Sequence, residues 1–409
     1  MTDRLYYQNS DLGEFEAAVA AVLDPVAPDE RFRLVLNRSA FYPTSGGQVY
    51  DTGWLISKDN ERSRVSEVAE TDDGKVVHYL EAPVRLKVGD SVRGCIDRER
   101  RRDHMQQHSG QHVLSAAFLE LYQMPTVSFH MGDDYCSIDL TANSIRPEQV
   151  SGAEKRANQI IFENRPVGIR FSSRREAETL GLRKLPPAER DPLRLIEIAD
   201  YDLSACGGTH VSATGQIGAI LLRKTEKTRQ GVRVEFVCGG RAVTAARRDH
   251  SALTEAAGLF SAQLWDVPTQ VRKAFEEVKL ARKQKDDALE QLADAMARVA
   301  LGEQAELNGR KVIVRSFADR DIGFVKLFAQ KLVRTGAPVI ALVASALEPP
   351  GIVFAQSAGG NADMGLVLKQ VLSSVGGRGG GSRDFAQGGV PQGNDVEKLL
   401  RLAASTIGA

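Results

Sequence analysis

Two pairs of residues share one spacing and constrain this chain more than any other feature: His108 with His112, and Cys206 with His210. Any fold that brings the pairs together gathers three imidazoles and one thiolate around a point. Residues 101–122 read as a helix, with Met105, Val113, Ala116, Ala117 and Leu121 forming an apolar stripe and Gly110 the sole break. His108 and His112 then lie one turn apart on one face, close enough to share an ion. The second pair sits in Cys206-Gly207-Gly208-Thr209-His210, where two glycines favour a tight turn over a helix. A mixed N and S set suits tetrahedral zinc, and the thiolate argues against magnesium or calcium. The other reading is that the histidines are ordinary polar helix residues and Cys206 a small buried hydrophobe. Four of the seven histidines and four cysteines falling into two such pairs favours the metal. His104, one turn before His108, is left outside the set.

Four cysteines spread singly through 409 residues do not make a disulfide framework. With 42% hydrophobic residues the chain has enough apolar material for two or three cores. Lys plus Arg equals Asp plus Glu at 53 each, so no global charge announces a polyanion, and RNA contacts must come from local patches. Arg100 and Arg101 in DRERRRD, Arg233, and Arg378 and Arg383 are the candidates. The first residues lack a basic and then apolar leader pattern, no apolar run is long enough for a membrane span, and the expected location is cytoplasmic.

The expected fold class is α+β in four parts. Residues 1–96 read as a β-rich, barrel-like domain with strands at 32–36, 53–56, 76–80 and 91–96. They contain the glycine-rich turn 41–48, which is not a Walker loop because no Gly-Lys-Ser/Thr follows. Residues 97–240 read as an α/β domain holding both pairs, with helices at 101–122, 147–164 and 174–181 and strands at 167–171, 193–198, 219–224 and 232–237. Residues 241–307 read as a long helical hairpin broken at Trp265-Asp266-Val267-Pro268. Its second helix carries Val271, Val278, Lys285, Leu292 and Val299 at one heptad position, and Ala274, Ala281, Ala288 and Ala295 three residues later, which allows close packing of two helices. Residues 308–409 read as a second α/β unit, with buried strands at 311–317, 339–344 and 351–356, helices at 323–335, 362–375 and 395–407, and a loop at 376–384 whose glycines and arginines could cradle a phosphate.

Five segments, in order, carry a resemblance: FYPTSGGQVYDTG, HSGQHVLSAAF, CGGTHVSATGQIG, RVEFVCGGRA and GGGSRDFAQGG. The chain resembles the AlaX-type alanyl-tRNA editing proteins, and the editing and C-terminal domains of alanyl-tRNA synthetase. The resemblance implies a zinc-dependent hydrolase that clears seryl- or glycyl-tRNA-Ala, with His108, His112, Cys206 and His210 as ligands. It also implies tRNA-Ala as partner and a homodimer through the hairpin or the C-terminal domain. Because the chain begins almost at the glycine-rich motif, it is expected to act in trans and without ATP. Four protein ligands describe a closed site, so substrate or water is expected to displace a ligand or enter as a fifth. Thr44 and Gln48 are the expected readers of a serine hydroxyl, and Gly207 or Gly208 the backbone donors to a developing oxyanion. Competing readings are a noncatalytic tRNA-binding protein with structural zinc, a threonyl-tRNA-type deacylase, and an unrelated metallohydrolase of small esters.

Overall fold

The computed structural model describes residues 2–23, 31–82, 85–183, 192–229, 231–307 and 309–408; the segment boundary expected at 308 lies outside them. The chain divides into two compact units, Met1–Glu255 and Ala256–Ala409.

The first unit opens with β1 (Asp3–Arg4), β2 (Glu14–Leu23), β3 (Phe32–Leu36), β4 (Arg38–Ser39), β5 (Gly53–Ser57), β6 (Arg62–Glu70), β7 (Val76–Leu80) and β8 (Ser91–Ile96). Six of these close into a barrel in the order β2-β3-β7-β6-β5-β8, so the expected barrel-like domain is a true closed sheet with no edge among those strands. Inward residues such as Phe15, Leu34, Phe41, Val68 and Leu80 fill it. Strands β2 and β6 escaped the sequence reading because Ala, Glu and Arg weaken their alternation.

Helix α1 (Arg98–Tyr122) follows directly, capped by the Asp97 side chain accepting from the Arg100 amide. Next come β9 (Thr126–Met131), β10 (Cys136–Leu140), α2 (Pro147–Phe162), β11 (Val167–Ser172), α3 (Arg174–Ala177), β12 (Leu193–Ile198), β13 (Asp202–Ala205), β14 (Ile220–Lys227) and β15 (Val232–Cys238). They form an antiparallel sheet β14-β15-β10-β9 and a smaller sheet β11-β12-β13. Helices α1 and α2 supply Leu114, Phe118, Ile160 and Ile161 to a core shared with Ile138, Val234 and Phe236 of the larger sheet. The helix expected over 174–181 is a single turn, ending at Ala177. Helix α4 (Gly239–Leu259) leaves this sheet and crosses the division at 255.

The second unit contains α5 (Val267–Glu303), β16 (Lys311–Phe317), α6 (Ile322–Val333), β17 (Val339–Ser345), β18 (Gly351–Gln356), α7 (Met364–Ser373), β19 (Arg378–Gly381), β20 (Phe385–Gly389) and α8 (Val396–Thr406). Its sheet runs β16-β17-β18-β20-β19, with β16 and β17 parallel and the other pairs antiparallel. The central strands VIALVAS and GIVFAQ are buried throughout, because helices cover both faces: Phe324 and Phe328 of α6 on one, Leu368 of α7 and Leu400 of α8 on the other. The expected phosphate loop at 376–384 is mostly a hairpin instead, since β19 pairs with β20 from Arg378 to Gly381 and commits that backbone to the ladder.

Candidate metal centre

The four ligand candidates converge. One ligand atom from each of His108, His112, Cys206 and His210 lies within 4.8 Å of all the others. The Cys206 Sγ is 3.4 Å from His108 Nε2 and 3.3 Å from His210 Nε2. Zinc bonds of about 2.3 Å to sulfur and 2.0–2.1 Å to nitrogen would set such atoms roughly 3.5 Å apart at a tetrahedral angle. The side chains therefore fit a small tetrahedral cation. His104 is not in the cluster.

Each imidazole reaches the centre through Nε2 or is turned by what holds its Nδ1. His108 Nδ1 is 2.8 Å from the Gln48 amide oxygen, His210 Nδ1 is 3.1 Å from the Ser109 hydroxyl, and His112 Nδ1 is 3.4 Å from an Asp202 carboxylate oxygen. Outer partners of this kind fix ring orientation and raise ligand basicity. Asp202 is itself held by Arg183 at 3.0 Å and by the Ser204 hydroxyl at 2.9 Å. Burial resists ionisation of Cys206, but the imidazoles of His108 and His210 outweigh it and hold the thiol well below its ordinary range. Burial also lowers His210, aided by His108, so it stays neutral and able to donate a lone pair. For His112, burial works against the charged form, yet the Asp202 contact and Cys206 raise it.

The turn 206–210 is shaped by its glycines. A Cβ on Gly208 would stand 2.1 Å from His108 Cε1 and 2.8 Å from Gln48 Oε1, so only glycine lets this backbone pass the ligand. The Gly208 amide donates to Cys206 Sγ at 3.4 Å and the Thr209 amide to Gln48 Oε1 at 3.0 Å. Gly208 is thus engaged with the sulfur, not free for an oxyanion. Gln48 is fully buried and committed at both ends, its amide nitrogen donating to Thr209 Oγ1 at 2.8 Å. It orients His108, which corrects its expected part as a reader of serine. Thr44 is exposed, standing between Pro43 and Ser45, both of which line a cleft of about 80 Å³ beside His108 and Cys206.

The arginines divide. Arg101 is buried; it pairs with Asp51 through Nη2 at 2.5 Å and donates to the carbonyls of Ser10 and Ala40. Its guanidinium is a structural brace and is withdrawn as an RNA contact. Arg100 donates to the Tyr50 carbonyl, and Arg233 pairs with Asp139 at 2.7 Å, both staying partly open to solvent. Arg378 and Arg383 are exposed in the second unit.

Sequence reasoning missed Tyr7, Arg4, Glu70, Ser109, Arg194 and Asp202. Ser109 lay inside a motif already singled out, while Arg194 carries no local signal at all. Its Nε donates to the Tyr7 carbonyl at 3.0 Å, and its Nη1 to the carbonyls of Cys206 and Gly208 at 2.7 and 2.9 Å.

Three families match the chain. Residues 3–100 match "tRNA synthetases class II (A)", 193–234 match "Threonyl and Alanyl tRNA synthetase second additional domain", and 295–409 match "DHHA1 domain". The Cys206–His210 turn lies within the second of these. An alanine–tRNA ligase from Natronomonas pharaonis is 34% identical over 99% of this chain and 44% of its own length. That of Archaeoglobus fulgidus is 33% identical over 98% of the chain and 43% of its own length. The chain therefore spans less than half the length of these relatives. A crystal structure of the C-Ala domain from Aquifex aeolicus alanyl-tRNA synthetase is 19% identical, covering 26% of this chain and 99% of that one with a TM-score of 0.24, too low to carry an argument. The sequence similarity stands without it: the chain is similar to alanine–tRNA ligases along nearly its whole length, and it matches a second additional domain and a DHHA1 domain in turn.

Proposed function

We propose that the chain is an aminoacyl-tRNA deacylase that hydrolyses serine or glycine wrongly esterified to tRNA-Ala, with zinc held by His108, His112, Cys206 and His210. One observation carries the reading: ligand atoms of three imidazoles and a thiolate lie within 4.8 Å of one another, each imidazole has a buried side chain beside its Nδ1, and His108 and Cys206 line a small cleft. The alanine–tRNA ligase similarity along nearly the whole chain supports tRNA-Ala over a threonyl-tRNA substrate.

Bound zinc would supply a Lewis acid beside the ester. The protein's own contribution is orientation. Gln48, Ser109 and Asp202 hold the ligand rings, Gly208 brings the backbone close, and the cleft walls restrict the acyl group to a small size. Thr44, at the rim, is the candidate to hydrogen-bond a serine hydroxyl; leaving such a polar group unpaired beside alanine is how a site discriminates. Arg100, Arg233, Arg378 and Arg383 are the candidate phosphate contacts.

The set of four protein ligands, with none missing from a tetrahedron, favours one second reading, a tRNA-binding protein with structural zinc. Purified protein of known metal content, given seryl-, glycyl- and alanyl-tRNA-Ala in trans, decides between them. The proposal expects hydrolysis of the first two with alanyl-tRNA spared. Tight tRNA binding with all three esters intact would establish the second reading.

A further inference from the structure

The cleft beside the ligands is walled by three tyrosines. Tyr6 meets Tyr7 and Tyr42 edge-on, with ring centroids 5.1 and 5.2 Å apart. Their hydroxyls are in different states. Tyr42 donates to the Ser45 carbonyl at 3.0 Å, so its proton is used. The Tyr7 oxygen instead accepts from Arg4 Nη1 at 3.0 Å, and Arg4 Nη2 is fixed by Glu70 at 2.5 Å. A phenol whose oxygen accepts from a guanidinium still has its proton to give, and the cation strengthens it as a donor.

Tyr7 is also held where a donor is wanted. Arg194, only 7% exposed, ties the Tyr7 carbonyl to the carbonyls of Cys206 and Gly208. A single buried guanidinium thus joins the segment carrying this phenol to the turn carrying the thiolate. A Cβ on Gly207 would lie 3.4 Å from the Tyr7 hydroxyl, so that hydroxyl sits over the turn beside Cys206. The amides of Gly208 and Thr209 are directed at Cys206 Sγ and Gln48, and cannot serve an oxyanion from where they stand.

We propose that Tyr7 is a catalytic residue, the hydrogen-bond donor to the carbonyl oxygen of the ester as it becomes an oxyanion, with Arg4 polarising it and Glu70 and Arg194 positioning it. The assignment rests on the deacylase reading above. Water adds through its oxygen to the ester carbonyl carbon, and the π pair moves onto the carbonyl oxygen, where the Tyr7 O–H meets it. When that pair returns, the bond from carbon to the ribose oxygen breaks, a water proton ends on the ribose hydroxyl, and the free amino acid departs. A donor preorganised at the site of developing charge acts on every acyl group alike. A reader of the side chain would act on serine alone.

Tyr7→Phe removes one oxygen and keeps the ring. The expected result is a fall in kcat of about a hundredfold for seryl- and glycyl-tRNA-Ala alike, with KM, bound metal and melting midpoint unchanged. Arg4→Gln, which keeps the phenol but removes its cation, should lower kcat about tenfold on both and carries the test if Tyr7→Phe loses its metal. Loss confined to the seryl ester would make Tyr7 a side-chain reader, and unchanged kcat would remove it from the chemistry; either overturns the assignment alone. Wild-type protein that leaves every ester intact overturns the deacylase reading, and the assignment with it.

Discussion

The two long helices α1 and α5 invert the usual relation between hydropathy and burial. Helix α1 is polar along its middle, yet Arg101, His104, Gln106, Gln107, His108, Ser109, Gln111, His112 and Ser115 are all buried. Helix α5 spans 37 residues and leaves Phe275, Val278, Leu280 and Val299 exposed, burying mainly Val267, Ala293, Ala297 and Ala300. What separates them is the supply of partners. Most polar groups on α1 meet one: Gln107 exchanges two hydrogen bonds with the Cys238 backbone at 2.8 and 3.0 Å, and Gln111 donates to Ser115 at 2.7 Å. A buried polar group with its bonds made costs little, and one without them costs much. A helix this polar sits inside a protein because its neighbours were built around it, which is the mark of a site.

That comparison is most easily broken at Arg101. Arg101→Met leaves the buried Asp51 carboxylate without its cation, and the expected loss is about 3–5 kcal/mol, read from urea unfolding. A loss under 1 kcal/mol would mean that the α1 partners are not what holds its polar face inside. Next is Gly110, where a Cβ would stand 2.2 Å from Cys238 Sγ. Alanine is favoured over glycine in a helix by about 1 kcal/mol, while overpacking costs about 1–3 kcal/mol. Gly110→Ala should therefore destabilise by about 1 kcal/mol net, and a raised melting midpoint would show α1 to be loosely seated.

His104 tests the same helix through pH. It is buried with no partner on Nδ1, and burial first, then Arg100, lowers its pKa to about 4. The unfolded imidazole protonates near 6.5, so between about 6.5 and 4 the unfolded chain binds more protons. Its contribution is full above that window and is lost as pH falls through it, by at most about 3 kcal/mol. His104→Leu should flatten the fall of the melting midpoint between pH 7 and 4; an unaltered profile would place the acid sensitivity elsewhere.

The smallest effect belongs to α5. Val278→Lys should change stability by less than about 0.5 kcal/mol, as for other open surface positions. A melting midpoint that rises with protein concentration, and stops doing so in Val278→Lys, would show that a second copy covers the Val and Ala seam.

The periodicity that singled out the candidate ligands also contained a warning. Positions 101, 105, 108 and 112 fall on one helical face, so the face that brings His108 and His112 to the cluster also turns Arg101 inward. The charged run DRERRRD hid this, because adjacency in sequence reads as a patch while a helix distributes it around its axis. The two pairs that converge were legible because each is local in sequence, four residues from one member to the next. Asp202, Arg194 and Tyr7 were not, because their roles exist only once distant segments meet: Arg194 acts on Tyr7, 187 residues away. In the second unit the apolar runs of β17 and β18 announced buried strands, while RGGG in β19 read as a loop since glycine has little strand propensity and the pairing comes from β20.

If the proposed deacylase reading holds, the cluster on α1 and the turn 206–210 holds a metal that ester hydrolysis requires. Metal content and seryl-tRNA-Ala hydrolysis measured together, in wild-type protein and in Cys206→Ala, test it most directly. The expected result is about one zinc per chain with rapid hydrolysis in the wild type, and loss of both in the variant with the second unit still folded. Hydrolysis that persists in a metal-free Cys206→Ala protein would contradict it.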